Sequence, residues 1–360
     1  MFQFTGFSRV GGFSMAGVSK VGGFAKVGGF AKVAGGIATV TAAGLVFTAL
    51  PAFSAPAGAS ASVAAPGSVR FDAAAGEVNN LLITGDGQAV TFDDDVTITA
   101  GAGCASVAGD PTQVTCDLGA PAVALGLVVN VRDGADTVIN DTAIGLLASG
   151  GLGDDTLIGS DVAADQLRGE AGADSVQGRG GDNTVSGGPG ADQVSGGPGK
   201  DLLDGAGGND VLYGEDGDDL LLAGDGDDEL IGGLGADLHD GGAGRDGAFY
   251  TERSSGIVAD LDNARGDDGE PGEGDSLLRI ENIAATTADD VLIGNGGDNA
   301  LYGSSGQDTI SGRGGDDYLE GGVSEFDGPD ALDGGANRTD AGDTCRLSLG
   351  GGTTVNCESF

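Results

Sequence analysis

The sequence has no tryptophan and a single histidine, His239, in 360 residues. Aromatic side chains make up 5% of it, and basic residues number 16 against 56 acidic ones. So few large apolar groups argue against a broad aromatic core and for a thin interior. With one histidine there can be no zinc-protease HExxH pair, and no GxSxG nucleophile elbow occurs either. A formal net charge of −40 excludes the basic footprint of a nucleic-acid binder or of a protein held on anionic membranes. Cations are the partners that such a chain attracts.

The charge is unevenly placed. Residues 1–60 carry Arg9, Lys20, Lys26 and Lys32 and no acid, so the acidic excess lies entirely in the body. An uncharged run, VAGGIATVTAAGLVFTAL at 33–50, follows the basic stretch and precedes Ala-x-Ala triplets between 55 and 61. That order predicts a cleaved secretory signal with a long basic n-region over 1–60. The alternative is a membrane anchor, since 18 uncharged residues sit near the spanning threshold. No role is assigned to the repeat VGGFAKVGGFAKV within it. No later segment is apolar enough to span a bilayer. The expected location is extracellular, secreted or on the cell surface, without membrane association after cleavage.

The four cysteines fall in two pairs of equal spacing, Cys104 with Cys116 and Cys345 with Cys357. In an exported chain this predicts two local disulfides. Metal ligation by these cysteines is disfavoured by the absence of a CxxC motif.

What the chain has in abundance is glycine, 74 residues of it, in a nine-residue rhythm. With glycine at the first position, units begin at 150, 159 (a ten-residue unit), 169, 178, 187, 196, 205, 214, 223, 232 and 241, with Ala223 the one non-glycine start. The sixth position, or its equivalent, holds Asp155, Asp165, Asp174, Asn183, Asp192, Asp201, Asp210, Asp219, Asp228, Asp237 and Asp246. The eighth is Leu or Val through Leu230, then His239 and Ala248. A second block supplies Asp290, Asn299, Asp308, Asp317 and Asp330 at the sixth position, with Leu292, Leu301, Ile310, Leu319 and Leu332 at the eighth.

Each position has a physical reason. Glycine permits positive φ, so six residues can curl tightly and turn carbonyls inward. An aspartate at the end of the curl adds an anionic oxygen, and calcium takes about six to eight oxygen ligands from carboxylates and carbonyls. A short x-aliphatic-x strand sends one apolar side chain to one face. Two units make one coil of turn, strand, turn, strand. Asp201 and Asp219 then fall in one column on one side, continued by Asn183 and Asp237. A flexible glycine-rich linker needs no aliphatic residue at the eighth position, which argues against that reading.

This pattern resembles the RTX, or haemolysin-type, calcium-binding repeat G-G-x-G-x-D-x-U-x, over residues 150 to 345. The resemblance implies an all-β fold, a right-handed parallel β-roll, with multiple Ca2+ ions between stacked turns. The sixth-position residues named above carry over as calcium ligands, together with turn carbonyls. Asn183 and Asn299 keep an oxygen but lose a charge, so weaker sites are expected there. His239 and Ala248 suggest that the first roll ends near them. Without calcium, carboxylates stacked ~5 Å apart repel by roughly 0.8 kcal/mol per pair even in water, so folding is expected to depend on the ion.

The expected organisation is a leader over 1–60, a β-rich region or solenoid cap over 61–149, a first roll over 150–249, an interruption over 250–284, a second roll over 285–345 and a C-terminal cap over 346–360. Within 61–149, VRDGADTVI at 131–139 already reads as a degenerate unit, with Asp136 and Val138 in place. Asp93, Asp94 and Asp95 read as a charged turn, and the acids of 250–284 as a solvated loop. Residues 66–149 are a short span for a catalytic domain, and the acid pairs belong to the repeat, so no enzyme is expected. The functional expectation is a secreted calcium-binding β-roll that folds on binding the ion, an extracellular structural or surface component. The alternative is a calcium-dependent adhesin or glycan-binding module. A pore-forming toxin ranks below both.

Overall fold

A computed structural model describes residues 58–65, 68–119, 126–322, 328–337 and 342–358. The leader, with the expected export signal and the VGGF repeat, lies outside the described residues, apart from its last three. The described residues hold strands and turns and no helix, and thus no helix long and apolar enough to cross a membrane.

The chain forms a parallel β-solenoid of about 12 turns. Nine residues per half-coil bring each strand beside the one two units away. Thr184–Pro189 pairs with Leu202–Gly207, which pairs with Leu220–Asp225. On the opposite face Gln193–Ser195 pairs with Val211–Asp216, which pairs with Glu229–Leu234. The eighth-position side chains therefore stack in register. Leu167, Val185, Leu203, Leu221 and His239 form one ladder and Val176, Val194, Leu212, Leu230 and Ala248 the other. All are buried. One side chain per strand makes a core two residues thick, so little apolar area supports each turn.

Turn glycines are held to their identity by the neighbouring coil. Gly233 has φ 95°, and a Cβ there would run into the Glu215 carbonyl oxygen of the coil before. Glu215, at the same place in the preceding coil, itself holds φ 77°. The turn needs left-handed backbone at this position, which glycine adopts most readily.

The register is not confined to 150–249 and 285–345. Ser68–Asp72 pairs in parallel with Gly126–Asp133, and Asn80–Gly85 with Thr137–Asp141. The N-terminal edge is covered by antiparallel strands instead of left open. There Cys104–Val107 lies against Asp110–Asp117, with Cys104 opposite Cys116 and the two bridged. Phe71 and Phe92, stacked with ring centroids 5.7 Å apart, give this end a bulkier core than any repeat has.

The interruption divides only one face of the solenoid. Ala248 pairs with Ile283, then Leu301, Leu319 and Cys345, so one sheet runs through without a break. On the other face His239 pairs with Leu277, where that sheet ends. A new sheet starts at Val258–Asp260 and continues through Val291–Ile293, Thr309–Ser311, Asp330–Asp333 and Gly352–Val355. That sheet thus runs one strand past His239 and ends at Leu277, whereas Ala248 keeps its strand in the continuous sheet. The bridge Cys345–Cys357 joins the last strands of the two faces, Thr344–Arg346 and Gly352–Val355, with Cys357 two residues past the latter.

Candidate metal centre

The sixth-position side chains form three columns. In the first, Asp165 N–H donates to Asn183 Oδ1 (2.9 Å), Asn183 N–H to Asp201 Oδ1 (2.6 Å), Asp201 N–H to Asp219 Oδ1 (2.7 Å) and Asp219 N–H to Asp237 Oδ1 (2.9 Å). The second runs from Asp136 through Asp155, Asp174, Asp192, Asp210 and Asp228 to Asp246 by the same bond. In the new sheet Asp290 N–H donates to Asp308 Oδ1 and Asp308 N–H to Asp330 Oδ1. Asn299 and Asp317 belong to the continuous face, where Asn299 N–H donates to Asp317 Oδ1.

One carboxylate oxygen is thus used to staple coil to coil. The other is left over. Oδ2 of Asp155, Asp174, Asp192, Asp201, Asp210, Asp219, Asp228, Asp237, Asp246, Asp308 and Asp317 is buried without a hydrogen-bond partner. Each except Asp228, whose unit opens with Ala223, points to the glycine that opens its own unit, and the space there depends on the missing side chain. A Cβ on Gly205 would lie 2.5 Å from Asp210 Oδ2 and 2.6 Å from the Ala223 carbonyl oxygen of the next coil.

Asn183 displays the rest of the cradle. The expectation was that it would offer an amide oxygen. Its Oδ1 is already taken by the Asp165 N–H, so the amide nitrogen faces inward. Nδ2 donates to the carbonyls of Gly181 (2.9 Å), Gly196 (3.1 Å) and Arg179 (3.2 Å). Three carbonyls, from the second and fourth positions of the unit and the opening glycine of the next coil, therefore converge on a donor. Asn299 is oriented otherwise. Its Oδ1 accepts from Asn295 N–H and its Nδ2 donates to the Glu281 carbonyl.

Three expected residues have both oxygens engaged. Asp165 Oδ2 accepts from Ser160 N–H (2.6 Å), Asp290 Oδ2 from Thr286 N–H (3.0 Å) and Asp330 Oδ2 from Ser348 N–H (3.3 Å).

Burial pushes Asp155, Asp201, Asp210, Asp237 and Asp308 up to about 7, and carboxylates in neighbouring coils add to the rise. Burial likewise brings Asp192, Asp219, Asp246 and Asp317 to about 6. Buried anions with no counter-charge are costly, and a bound cation removes that cost. Hard carboxylate and carbonyl oxygens are the donor set that calcium takes. The residues present therefore fit the ion.

Several column members escaped the sequence reading as site residues. Asp136, Asp275 and Asp343 each precede an eighth-position residue, Val138, Leu277 and Cys345, so the D-x-U triplet was the available signal. Asp275 Oδ1 accepts from Asp237 N–H and Asp343 Oδ1 from Asp317 N–H. Glu281 and Glu358 serve the same purpose with a longer side chain, accepting from Asp246 and Asp343 N–H. Asp93, Asp94 and Asp95 form a hydrogen-bonded turn, in which Asp94 Oδ2 accepts from Asn79 Nδ2 (2.7 Å). In the interruption the carboxylates of Asp260, Asp262 and Asp267 gather on a largely exposed loop.

His239 occupies the slot that leucine fills elsewhere. It is 1% exposed, and burial holds its pKa down at about 4, with Arg253 adding to the effect.

A family profile described as RTX calcium-binding nonapeptide repeat (four copies) matches residues 162–194, 186–221, 195–230, 213–248, 279–310 and 293–323. No curated protein matches the chain. The matched stretches hold most of the column aspartates, and between residues 162 and 323 this β-solenoid is built on RTX calcium-binding nonapeptide repeats.

Proposed function

We propose that the chain is an exported calcium-dependent scaffold, an extracellular structural or surface component and not an enzyme. The observation that carries this reading is the column of buried aspartate oxygens without partners, each facing a carbonyl cradle. By register with Asn183, the cradle of Asp201 is completed by the carbonyls of Gly197, Gly199 and Gly214, and that of Asp219 by Glu215, Gly217 and Gly232. When bound, calcium supplies positive charge between coils. The chain's own residues do the rest: Oδ1 fixes the coil spacing, Oδ2 and the carbonyls hold the ion, and the aliphatic ladder closes the interior.

Ion binding is accordingly uneven. Asp165, Asp290 and Asp330 have backbone N–H groups in place of an ion, and Asn183 fills its own cradle with its amide. The calcium sites lie at the aspartates that have both a free Oδ2 and a complete carbonyl cradle. Export is supported by the basic leader and by two disulfides, which persist in oxidising compartments.

The test is far-UV circular dichroism and hydrodynamic size of the chain from about residue 60, titrated with calcium against chelator. A disordered chain that becomes compact and β-rich in calcium is expected, with affinity of about 10⁻⁴ to 10⁻³ M. Unchanged β signal and radius in excess chelator would refute it. The adhesin alternative has one observation in its favour. Tyr302 and Tyr318 lie with ring centroids 5.6 Å apart on the continuous face, Arg346 beside Tyr318. Glycan binding lost in Tyr302→Ala would establish that reading.

A further inference from the structure

The last cradle of the first face differs from those before it. Gly232 opens the unit of Asp237. A Cβ on Gly214, one coil earlier, would meet the carbonyl oxygen of Gly232 and Asp219 Oδ2. A Cβ on Gly232 would meet Asp237 Oδ2 and, at 2.6 Å, His239 Nε2. The reason is that the chain leaves the repeat at Tyr250, the residue due to supply the next carbonyl. That carbonyl accepts from Arg253 N–H instead (3.0 Å). An imidazole nitrogen stands where the other cradles have a carbonyl oxygen.

This imidazole has no other engagement. Both ring nitrogens of His239 are buried and unpartnered, as is Asp237 Oδ2. Leaving such groups buried and unsatisfied is costly, and a ligand that pairs with them removes the cost. Tyr250 packs edge-on against the ring, 6.2 Å between centroids, and gives its hydroxyl to Asp275 Oδ2. Asp275 Oδ1 in turn holds the Asp237 N–H. The charges are unbalanced. Arg253 is bonded to Glu273 (2.6 Å), lies 3.9 Å from Glu270 and also acts on Asp237, so one cation is shared among several carboxylates. Asp237 and Asp275, both 1% exposed, form no salt bridge among the described residues.

We propose that Asp237 Oδ2 and His239 Nε2 form a site for a divalent transition metal ion of the zinc class, at the point where the first sheet ends. Calcium takes oxygen ligands, whereas imidazole nitrogen suits zinc, cobalt, nickel and copper. By register the carbonyls of Gly233 and Gly235 face the same space. Asp275 and Tyr250 position the pair and do not ligate. The site goes beyond the calcium reading but needs the folded solenoid, so it is probed with calcium saturating.

The experiment adds Co2+, then Zn2+, to tag-free calcium-saturated chain, whose only imidazole is His239. One equivalent of cobalt with visible d–d absorption, bleached by zinc, is expected. His239→Leu restores the residue usual at this slot and is expected to keep its far-UV spectrum while losing the cobalt signal. Equal cobalt absorption in His239→Leu, or none in the wild type, overturns the proposal. A zinc-induced shift of the histidine Nε2 resonance in 15N-labelled wild type provides a readout that depends on no variant, and its absence overturns the proposal equally. Loss of calcium-dependent folding is seen separately in the dichroism, so the two readings fail independently.

Discussion

Asp219 receives the main-chain N–H of Asp201 on Oδ1 at 2.7 Å and keeps Oδ2 buried and unpartnered. One carboxylate thus joins two coils and faces one cradle. The two tasks separate by substitution. Asp219→Ala removes both, leaving the Asp201 N–H buried without an acceptor, at a cost of about 1–3 kcal/mol. Its calcium midpoint is expected to rise, with lower cooperativity, because each coil is supported by its neighbours. Asp219→Asn keeps Oδ1 and, in the manner of Asn183, turns its amide to the carbonyls of its own cradle. It is expected to bind one ion fewer while folding at no higher calcium. Equilibrium dialysis beside a dichroism titration measures both quantities. An Asp219→Asn midpoint as high as that of Asp219→Ala would show that the amide does not replace the ion.

The converse substitution is Asn183→Asp. It removes three amide-to-carbonyl bonds, to Gly181, Gly196 and Arg179, and adds a carboxylate to a column already occupied by Asp201. One additional calcium ion is expected at saturation, together with lower residual structure in chelator. Unchanged stoichiometry would mean that the carbonyls around Asn183 do not form a cradle for the ion.

Much of this arrangement was legible in the sequence because it is periodic. Nine-residue spacing fixed which aspartates share a column, and the D-x-U triplets placed the ladders. The orientation of Asn183 was not legible. It is decided by Asp165 N–H, which claims Oδ1, and that contact spans 18 residues. Nor could Ser160, Thr286 and Ser348 be seen closing three expected sites, since nothing local marks their N–H groups. The extent of the solenoid was blurred where a different side chain does the same work. Glu281 and Glu358 reach the N–H groups that aspartate serves elsewhere, and Cys345 fills an aliphatic slot.

The metal-free chain has a defined pH response. Asp155, Asp201, Asp210, Asp237 and Asp308 stand at about 7 in the folded state, against about 4 for exposed aspartate. Raised folded values mean that the folded state binds more protons than the unfolded one across that window. The stabilisation by protons is fully present below about pH 4 and is lost as pH rises through about 7. In calcium-free buffer the β signal and compactness are therefore expected to increase as pH falls from about 8 toward 4.5. Calcium and protons compete for the same oxygens, so the calcium midpoint is expected to rise over the same descent. Dichroism at fixed ionic strength, with and without calcium, checks both directions. A metal-free chain that loses β structure on acidification would contradict the buried, unpaired state of these carboxylates.

Ala223 provides the last prediction, because it opens the unit of Asp228 where the other units of the first block have glycine. At Gly205 a Cβ would crowd the Asp210 carboxylate and the next carbonyl at 2.5–2.6 Å. Ala223 carries such a methyl, fully buried, beside an Asp228 whose Oδ2 has no partner. Two effects oppose each other in Ala223→Gly. The unfolded chain gains freedom, which costs roughly 0.5–1 kcal/mol. Removing a group forced into a tight space returns about 1–3 kcal/mol, but only when the space is to be filled by an ion. The variant is therefore expected to be less structured than wild type in chelator and to reach its folded state at lower calcium. Parallel titrations of the two proteins decide the matter. A higher calcium midpoint in Ala223→Gly would mean that the methyl lies outside the cradle, and that the opening glycine is required for the backbone turn alone.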